Sequence, residues 1–326
     1  MIITKTPFRI SFFGGGTDYP EYFLKYGGAV LGTAVDKFAY ISVTRFYSRL
    51  FDYSIRIAYR EVECVKRVED IRHAPFRECL RWCGVSSDIE VNYAAELPSF
   101  SGLGTSSSFV VGLLCALYAF KGRASRPLEL AYEAIEIERD VLKDSVGCQD
   151  QTFAALGGFN VIEFRGTRDI VVHRVPLSHE RIKEFEEHLL VLDTGVRRRA
   201  GDIAARQIRK VGANHDRLKR MREMVDEGYD ILTGGKDLSR FGALLHEAWS
   251  LKSLLDDSIS TDAIRYIYEE GREAGALGGK LLGAGGGGFL LFFVPPHKRK
   301  AVLERLKHLE EIPVKVNAPG SHVIHM

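Results

Sequence analysis

The chain has 326 residues, of which 45% are hydrophobic and 27% charged, so it can bury a sizeable core and is long enough for two domains. Its 45 lysines and arginines almost balance its 43 acidic residues, which gives a formal net charge of +2. That balance argues against a protein that binds nucleic acid or a membrane surface through bulk charge, so any anionic ligand must be bound locally.

The first half of the sequence is rich in short β-branched and aromatic runs that predict strands. The first run shows no long apolar stretch and no small-residue cleavage site, so we expect no signal peptide and a cytoplasmic location. Five scattered cysteines, an odd number, are expected to be reduced thiols. The predicted strands are residues 2–13, 34–47, 54–65 and 89–95.

After Ser125 the strand-like pattern gives way to an amphipathic helical pattern. Residues 127–143 place apolar side chains on one face at helical spacing, and Pro127 suits a first helical turn. No apolar stretch is long enough to predict a membrane-spanning helix. The later predicted elements are a hairpin at 159–175, a helix at 179–188, a glycine turn and buried strand at 280–296, a helix at 302–309 and a strand at 313–317.

The change from a strand-rich to a helix-rich sequence sets the predicted domain boundary. We place it between residues 172 and 182, which gives domains 1–176 and 177–326. Domains of this size are each large enough to form their own core.

Residues 97–120 combine a glycine and hydroxyl cluster with a long apolar run. The run from Phe109 to Phe120 predicts a helix that is apolar on all sides and therefore buried. The cluster then lies at a helix N-terminus, where unpaired amides and the helix dipole favour a phosphate. An ordinary capped helix after a Gly/Ser turn is the alternative, because serine and threonine are also good N-caps. The cluster consists of Gly102, Gly104, Thr105, Ser106, Ser107 and Ser108.

Two common phosphate-binding motifs do not fit this sequence. A Walker A loop requires Lys followed by Ser or Thr, whereas Leu281 follows Lys280. A G-x-G-x-x-G spacing occurs at Gly283, Gly285 and Gly288, but a strand-like run follows it and not a helix. The sequence therefore predicts neither a P-loop NTPase nor a dinucleotide-binding fold.

Two carboxylates follow the hydroxyl cluster at positions that suit phosphoryl transfer. Glu138 lies near the end of the predicted helix 127–143, and Asp150 follows twelve residues later, after a turn. One could bind a metal ion while the other acts as a general base. The alternative is that Glu138 belongs to a solvated charged face and Asp150 caps a loop.

Three segments together resemble the signature motifs of the GHMP small-molecule kinases. They are PFRISFFGGGTD at 7–18, PSFSGLGTSSS at 98–108 and KLLGAGGGGF at 280–289, in the order and spacing of that superfamily. The resemblance implies an α+β fold, with an N-terminal domain like ribosomal protein S5 domain 2 and a C-terminal ferredoxin-like domain. It also implies that ATP, Mg²⁺ and a small-molecule acceptor bind in the cleft between the two domains.

The resemblance assigns roles to individual residues. Ser106 and Glu138 match the magnesium ligands of the superfamily. Asp150 matches its catalytic aspartate, and Arg9 matches the arginine beside that aspartate in the sugar kinases. The residues expected to bind the ATP phosphates are Ser101, Gly102, Leu103, Gly104, Thr105, Ser106, Ser107, Ser108, Gly285 and Gly286. The residues expected to contact the acceptor are Arg9, Gly15, Gly16, Thr17, Asp18, Asp150 and Gly285.

The first motif departs from that of galactokinases, which carry a Glu-His pair where this chain has Gly15 and Gly16. The departure argues against galactose, because two glycines open the pocket or let the backbone approach the ligand. The GGGTD pattern and several further segments look like the D-glycero-D-manno-heptose 7-phosphate kinases. That resemblance implies transfer of the γ-phosphoryl group to the anomeric hydroxyl of heptose 7-phosphate. The further segments are residues 68–85, 191–208, 246–255 and 275–296.

An acceptor that already carries a phosphate needs a second anion site. Arg197, Arg198 and Arg199 follow a turn and precede a predicted helix, and guanidinium groups bind phosphate in a bidentate manner. We expect Arg198 or Arg199 to contact the sugar 7-phosphate. A solvated basic turn is the alternative, because runs of charge usually lie on the surface.

Several alternatives remain open at this stage. The chain could phosphorylate fucose, galactose or a free heptose, or act as a phosphomevalonate-type kinase or a non-catalytic ligand-binding protein. The sequence leaves open whether it is a monomer or a homodimer. Lys280 could reach a phosphate or face solvent, whereas Trp249 and Lys252, three residues apart on a predicted helix, are interpreted as core packing.

Overall fold

The computed structural model describes residues 1–99, 101–197 and 200–326. Within these residues the chain forms two β-sheets with helices packed on them. The strands, β1 to β12 in chain order, are Ile2–Phe13, Gly28–Arg45, Ile55–Ala58, Val62–Val65, Ile89–Ala95, Phe159–Gly166, Asp169–Arg174, Leu189–Asp193, Gly278–Leu281, Phe289–Phe293, Glu310–Glu311 and His322–His325. The helices, α1 to α11, are Pro20–Tyr26, Ala74–Trp82, Thr105–Phe120, Pro127–Glu136, Gln149–Leu156, His179–His188, Ala200–Arg209, His215–Thr233, Ser239–Ser253, Asp262–Glu273 and Arg299–Arg305.

The first sheet is built around the long strand β2. Along one edge β2 pairs with β1, and along the other it pairs first with β6 and then with β5. The described part of this sheet has eight strands, of which β12, β1, β2, β5, β3 and β4 are successive neighbours, and β7 pairs with β6. Helix α3 packs against β1, β2 and α5, which brings the start of α3 close to the middle of β1.

Helix α3 is almost completely buried, as its uninterrupted apolar sequence predicts. It approaches β1 closely at Gly112, whose carbonyl accepts a hydrogen bond of 3.1 Å from the Thr4 hydroxyl. A Cβ at Gly112 would lie 2.6 Å from the Thr6 hydroxyl oxygen, so the close approach depends on this glycine. The packing fixes the N-terminus of α3 relative to the first sheet.

The second sheet is antiparallel, and its described strands follow the order β11, β8, β10, β9. All five residues of β10 are buried, as its apolar run predicts. Helix α9 packs against β9 and α8, and α8 in turn contacts β1 and β2 of the first sheet. The two sheets with their helices confirm the predicted α+β class.

A cluster of phenylalanine rings joins the two halves of the molecule. Phe12 of β1 lies 5.6 Å from Phe159, 5.4 Å from Phe185 and 5.5 Å from Phe241, measured between ring centroids. Phe293 of β10 lies 5.3 Å from Phe241. The five rings come from β1, β6, α6, α9 and β10, and each is essentially inaccessible to solvent. Such edge-to-face and stacked packing binds the two halves into one apolar core.

The structure corrects several details of the sequence-based prediction. Residues 54–65 form two short strands, β3 and β4, in place of one. The predicted helix 127–143 ends as an α-helix at Glu136 and continues as a π-helical turn, Ile137–Val141. The predicted strand at 313–317 is extended chain with an isolated bridge at Val316.

The end of the chain returns to the first sheet. Strand β12 pairs antiparallel with β1, and the Ser321 hydroxyl lies 2.8 Å from that of Thr6. The predicted division into 1–176 and 177–326 did not include this return. The five cysteines are free thiols, as expected. None of the helices in the described ranges is long and apolar enough to cross a membrane.

Candidate active site

A cleft of about 380 Å³ lies where the three glycine-containing segments meet. Its walls come from β1, from the loops before α1, α3 and α5, from α7 and α9, and from the loop between β9 and β10. Ten of the residues predicted from the sequence line it: Arg9, Gly15, Gly16, Asp18, Gly102, Gly104, Thr105, Ser106, Ser107 and Asp150. The folded chain therefore brings together Arg9 and Asp150, which are 141 positions apart, and adds residues of the third glycine segment.

The N-terminus of α3 opens into this cleft. The N-cap is Gly104 in the left-handed conformation, with φ of 76°, a residue that has no side chain to pair with the first-turn amides. Those amides have no partner within the helix, and the helix dipole adds partial positive charge. The arrangement suits a phosphate group, as the sequence predicted.

Arg9 and Asp150 form a bidentate ion pair in the cleft. The Arg9 Nε and Nη2 atoms donate to Asp150 Oδ1 and Oδ2, each over 2.8 Å. The remaining Nη1 donates to the Gly102 carbonyl over 2.6 Å. The guanidinium group therefore orients the carboxylate and ties it to residues 101–108, which we name the phosphate-binding loop after their predicted role.

Glu138 lies behind Ser106, in the π-helical turn that follows α4. Its Oε1 accepts a hydrogen bond of 3.3 Å from the Ser106 hydroxyl, and its Oε2 accepts one of 2.6 Å from Gln151 Nε2. Glu138 is completely buried, which excludes the alternative of a solvated charged face. Burial raises the pKa of Glu138 to about 7, although Gln151 favours the charged form.

The Ser106 and Glu138 oxygens fit a divalent cation. Among the described residues Glu138 has no basic partner, so its buried charge lacks compensation. Hydroxyl and carboxylate oxygens are the donors that Mg²⁺ prefers, and Mg²⁺ usually completes its shell with substrate phosphates and water. The described residues contain no cluster of three or more His, Cys, Asp or Glu side chains that could bind a metal alone.

Asp18 joins the first motif to the loop that carries Asp150. Its Oδ1 accepts from the Gly16 amide over 3.0 Å and its Oδ2 from the Gln149 amide over 3.4 Å. Gly147 packs so closely on it that a Cβ there would lie 1.9 Å from Asp18 Oδ2. Burial, and then the negative charge of Asp150, raise the pKa of Asp18.

The third glycine segment packs directly on the phosphate-binding loop. The Phe289 amide donates to the Ser101 carbonyl over 3.1 Å. A Cβ at Gly102 would lie 2.3 Å from the Leu282 carbonyl oxygen, and one at Gly283 would lie 2.6 Å from the Gly102 Cα. Only glycines permit this approach, so the segment sets the shape of the loop that faces the cleft.

Seven of the predicted site residues support the cleft without lining it. The Thr17 hydroxyl is fully buried and donates to the carbonyls of Gly14 and Ala29. The Ser108 hydroxyl donates to the Pro7 carbonyl, which anchors the first turn of α3. The others are Ser101, Leu103, Glu138, Gly285 and Gly286, which lie behind the cleft surface.

Two lysines line the cleft, one whose role the sequence left open and one that the prediction missed. Lys280 in β9 is buried and donates to the Phe12 carbonyl over 2.9 Å, so it does not face solvent. Lys252 in α9 is also buried but points into the cleft, and not only into the core as interpreted from its spacing to Trp249. Helical periodicity identifies a buried face but does not distinguish a core from a cleft.

The cleft residues of α7 were also missed. Helix α7 contributes Gly201, Asp202, Ala204 and Gln207, and Gln207 Nε2 donates to the Ala284 carbonyl over 2.7 Å. Of the three consecutive arginines, Arg197 forms an ion pair with Asp193 over 2.5 Å. Arg198 and Arg199, predicted to bind a sugar phosphate, lie outside the described residues.

A second cavity of about 630 Å³ lies at the opposite end of α3. It is lined by residues 45–50, 87, 88 and 120, none of which belongs to the three motifs. A helix of 16 residues is about 24 Å long, so this cavity is remote from the phosphate-binding loop.

The two family models that match the chain are the GHMP kinases N terminal domain over residues 63–158 and the GHMP kinases C terminal over residues 229–311. Together they cover more than half of the chain. The chain belongs to the GHMP kinases. It is accordingly an ATP-dependent phosphotransferase, and the cleft between its two sheets is the candidate active site of the kinase.

Individual relatives resemble this GHMP kinase over almost their full length. A D-glycero-alpha-D-manno-heptose 7-phosphate kinase of Campylobacter jejuni is 28% identical over 316 residues, which are 94% of this chain and 93% of that protein. The crystal structure of a D-glycero-D-manno-heptose 1-phosphate kinase from Bacteroides thetaiotaomicron has a TM-score of 0.82 at 23% identity and covers 100% of this chain and 99% of that chain. A Lactococcus lactis galactokinase structure has a TM-score of 0.75 at 18% identity, covering 98% of this chain and 94% of that one. The two structures confirm the predicted fold.

Proposed function

We propose that this GHMP kinase transfers the γ-phosphoryl group of ATP to the anomeric hydroxyl of D-glycero-D-manno-heptose 7-phosphate, giving the 1,7-bisphosphate. The observation that carries the proposal is the Arg9–Asp150 ion pair, which lies in one cleft with the N-terminus of α3. The choice of sugar is supported by the Campylobacter jejuni relative, which matches nearly the whole chain. Products of this kind supply activated heptoses for surface glycans.

The phosphate donor would bind at the start of α3. The first-turn amides and the glycines of the loop can surround the triphosphate, and the loop itself contains no lysine. Mg²⁺, when bound by Ser106, Glu138 and the nucleotide phosphates, would supply charge stabilisation for the phosphoryl group. The helix N-terminus adds to that stabilisation because its dipole is already oriented.

Asp150 would receive the proton of the attacking hydroxyl. Its carboxylate is held on both oxygens by Arg9 and lies beside Gly104, whose Cβ position is 3.1 Å from Asp150 Oδ2. A base fixed in this way can orient the hydroxyl toward the terminal phosphate. Phosphoryl transfer depends mainly on such positioning and on electrostatic stabilisation.

The acceptor would bind on the side of the cleft formed by the first motif. Gly15 and Gly16 line this side without side chains, which leaves space for a large sugar. Asp18 lies next to them, and its carboxylate could accept a hydrogen bond from a sugar hydroxyl. Tyr19 lines the same side of the cleft.

We further propose that Arg198 or Arg199 binds the 7-phosphate. Both precede α7, whose residues Gly201 and Asp202 line the cleft. Alanine substitution of each should raise KM for heptose 7-phosphate much more than KM for heptose. Equal losses for the two sugars would contradict a phosphate-binding role. Alanine substitution of Arg265, a surface arginine on α10, is the matched control.

The proposed activity is tested by ADP production with a panel of acceptors. We expect the highest kcat/KM for heptose 7-phosphate, with heptose, fucose, galactose, mannose and phosphomevalonate far lower. A preference for fucose or another unphosphorylated sugar would change the acceptor and leave the kinase chemistry intact. No acceptor-stimulated turnover with any member of the panel would contradict the proposed function.

A further inference from the structure

Three basic side chains line the described part of the cleft: Arg9, Lys252 and Lys280. The donors of Arg9 are already engaged by Asp150 and by the Gly102 carbonyl. Lys280 donates to the Phe12 carbonyl and thereby ties β9 to β1. Lys252 donates instead to the turn between β9 and β10, which packs on the loop before α3.

Lys252 is a buried ammonium group without a carboxylate partner in the described structure. It is only 6% exposed, and its Nζ donates to the Gly283 carbonyl over 2.5 Å and to the Leu281 carbonyl over 3.4 Å. An ammonium group has three N–H donors, so two carbonyls leave one donor free. A buried charge in this state is costly unless an anion completes its environment.

The position of Lys252 identifies the anion it would meet. Lys252 donates to the carbonyl of Gly283, and Gly283 packs against Gly102 of the phosphate-binding loop. Burial, and then repulsion from Arg9, lower the pKa of Lys252 to about 8, against the opposing effects of Asp18 and Asp150. The ammonium group therefore lies near both the phosphate-binding loop and the two aspartates of the acceptor side.

We propose that Lys252 is a catalytic residue whose ammonium group donates a hydrogen bond to an oxygen of the phosphoryl group during its transfer. The inference rests on the proposed function. In the step, the bond from the γ-phosphorus to the bridging oxygen of ADP breaks and a bond from the acceptor oxygen to that phosphorus forms. The acceptor proton passes to Asp150, and Lys252 keeps its protons. Lys252, on α9, thereby supplies the positive charge that the P-loop lysine supplies in P-loop NTPases.

A purely structural role is the competing explanation, because Lys252 also holds the turn between β9 and β10. The two explanations differ in kinetics. If the lysine contacts the phosphoryl group in the transition state, its removal lowers kcat and leaves ATP binding nearly unchanged. A lysine that only supports the turn alters the binding site itself, so its loss raises KM for ATP and leaves the pH profile unchanged.

The test compares K252M and K252R with the wild-type enzyme. We expect K252M to lower kcat by about 10²- to 10³-fold, with KM for ATP changed by less than about threefold. K252R, which keeps the charge, should recover at least about a tenth of the activity. K121M is the matched control, because Lys121 also donates to a backbone carbonyl, over 2.6 Å, but at the far end of α3.

The pH profile gives a second readout. Wild-type kcat/KM should fall as the pH rises through about 8, because the neutral amine has no charge to offer. The fall should move to higher pH in K252R and be absent in K252M. An unchanged profile in K252R would overturn the inference, and this variant decides the question if K252M does not fold. A normal kcat in K252M would also overturn it.

Slow ATP hydrolysis without any sugar separates this inference from the proposed function. If no sugar is phosphorylated but K252M still lowers the hydrolysis rate, the proposed acceptor is wrong and the role of Lys252 stands. If heptose 7-phosphate is phosphorylated equally well by K252M and wild type, the acceptor is right and the role of Lys252 is wrong.

Discussion

At the scale of single residues, the Arg9–Asp150 pair is central to the candidate site. Replacement of Asp150 by Asn keeps the shape but removes the basic oxygen, so we expect D150N to lower kcat by roughly two to four decades. Steady-state kinetics with the preferred acceptor measure this effect. D226N is the control, because Asp226 is also paired with an arginine, Arg222, over 2.7 Å, but lies on the exposed side of α8. A near-normal kcat in D150N would contradict the base assignment.

Glu138 is expected to lower the stability of the metal-free protein while it supports the kinase activity. Its carboxyl group ionises near pH 4.5 in the unfolded chain but only at about 7 in the folded protein without metal. Between these values the folded state holds more protons, so the stability of the metal-free protein falls as the pH rises. At pH 8 the neutral E138Q variant should therefore be more stable than wild type, by on the order of 3 kcal/mol. Its kinase activity should be largely lost.

Thermal unfolding in EDTA at pH 5 and pH 8 measures the effect of E138Q. The gain in Tm should be large at pH 8 and small at pH 5. E304Q, which removes an exposed carboxylate paired with Lys307, should change Tm little at either pH. A lower Tm for E138Q than for wild type at pH 8 would show that the charged form of Glu138 stabilises the fold.

The sequence was informative about some site residues and silent about others, for physical reasons. Arg9 and Ser106 lie in two of the three motifs, Asp150 is a carboxylate that follows a predicted turn, and the structure places all three at the cleft. Lys252 has no such motif, and its spacing to Trp249 is that of any buried helix face. Whether a buried polar group faces a core or a cleft depends on contacts from distant segments, such as the Gly283 carbonyl.

At the scale of elements, the contact between the second and third glycine segments positions the phosphate-binding loop. Gly102 has φ of 81°, and a Cβ there would lie 2.3 Å from the Leu282 carbonyl oxygen. G102A should therefore displace the loop, with kcat/KM lowered by at least about tenfold and a lower Tm. G122A is the control, because Gly122 also has positive φ, 69°, but no atom lies within 4 Å of its Cβ position.

Comparison of G102A with G122A separates the displacement of the loop from the backbone strain of a left-handed residue. G122A should lose only the strain of a left-handed residue, on the order of 1–2 kcal/mol, and keep normal kinetics. Both variants are compared by thermal unfolding and by steady-state assay. Equal kinetics for G102A and wild type would mean that the packing of the two segments does not set the geometry of the loop.

Element prediction succeeded where local pattern and tertiary structure agree. Strand β10 and the part of helix α3 from Phe109 onward are apolar throughout, and both pack in the interior as predicted. The strand predicted at 313–317 failed because its alternating sequence finds no continuous partner, and only Val316 forms a bridge, to Val35. The turn that carries Glu138 is π-helical and so contains about one residue more than an α-helical turn. The spacing of apolar residues in the sequence does not reveal this extra residue.

At the scale of the whole molecule, the phenylalanine cluster joins the two sheets through one shared core. Phe12, Phe241 and Phe293 come from both halves and pack within one buried core. A large apolar interface of this kind resists separation of the halves. We therefore expect the protein to unfold in a single transition, although its sequence predicts two domains.

The two tryptophans make this measurable, because Trp82 lies in α2 and Trp249 in α9. Variants W82F and W249F each leave one fluorescent reporter. Their denaturant midpoints should coincide with each other and with loss of circular dichroism. F241A should lower the free energy of unfolding by about 3–5 kcal/mol and should shift both midpoints together. F51A replaces an exposed aromatic side chain and should shift neither midpoint appreciably. Two separate unfolding transitions would contradict the expectation that the protein unfolds in one.

Strand β12 covers the edge of the first sheet that β1 would otherwise expose, because it pairs antiparallel with β1. An uncovered strand edge presents unpaired amides and carbonyls that can pair with another chain. Deletion of residues 322–325 would therefore leave an otherwise nearly whole fold prone to aggregate.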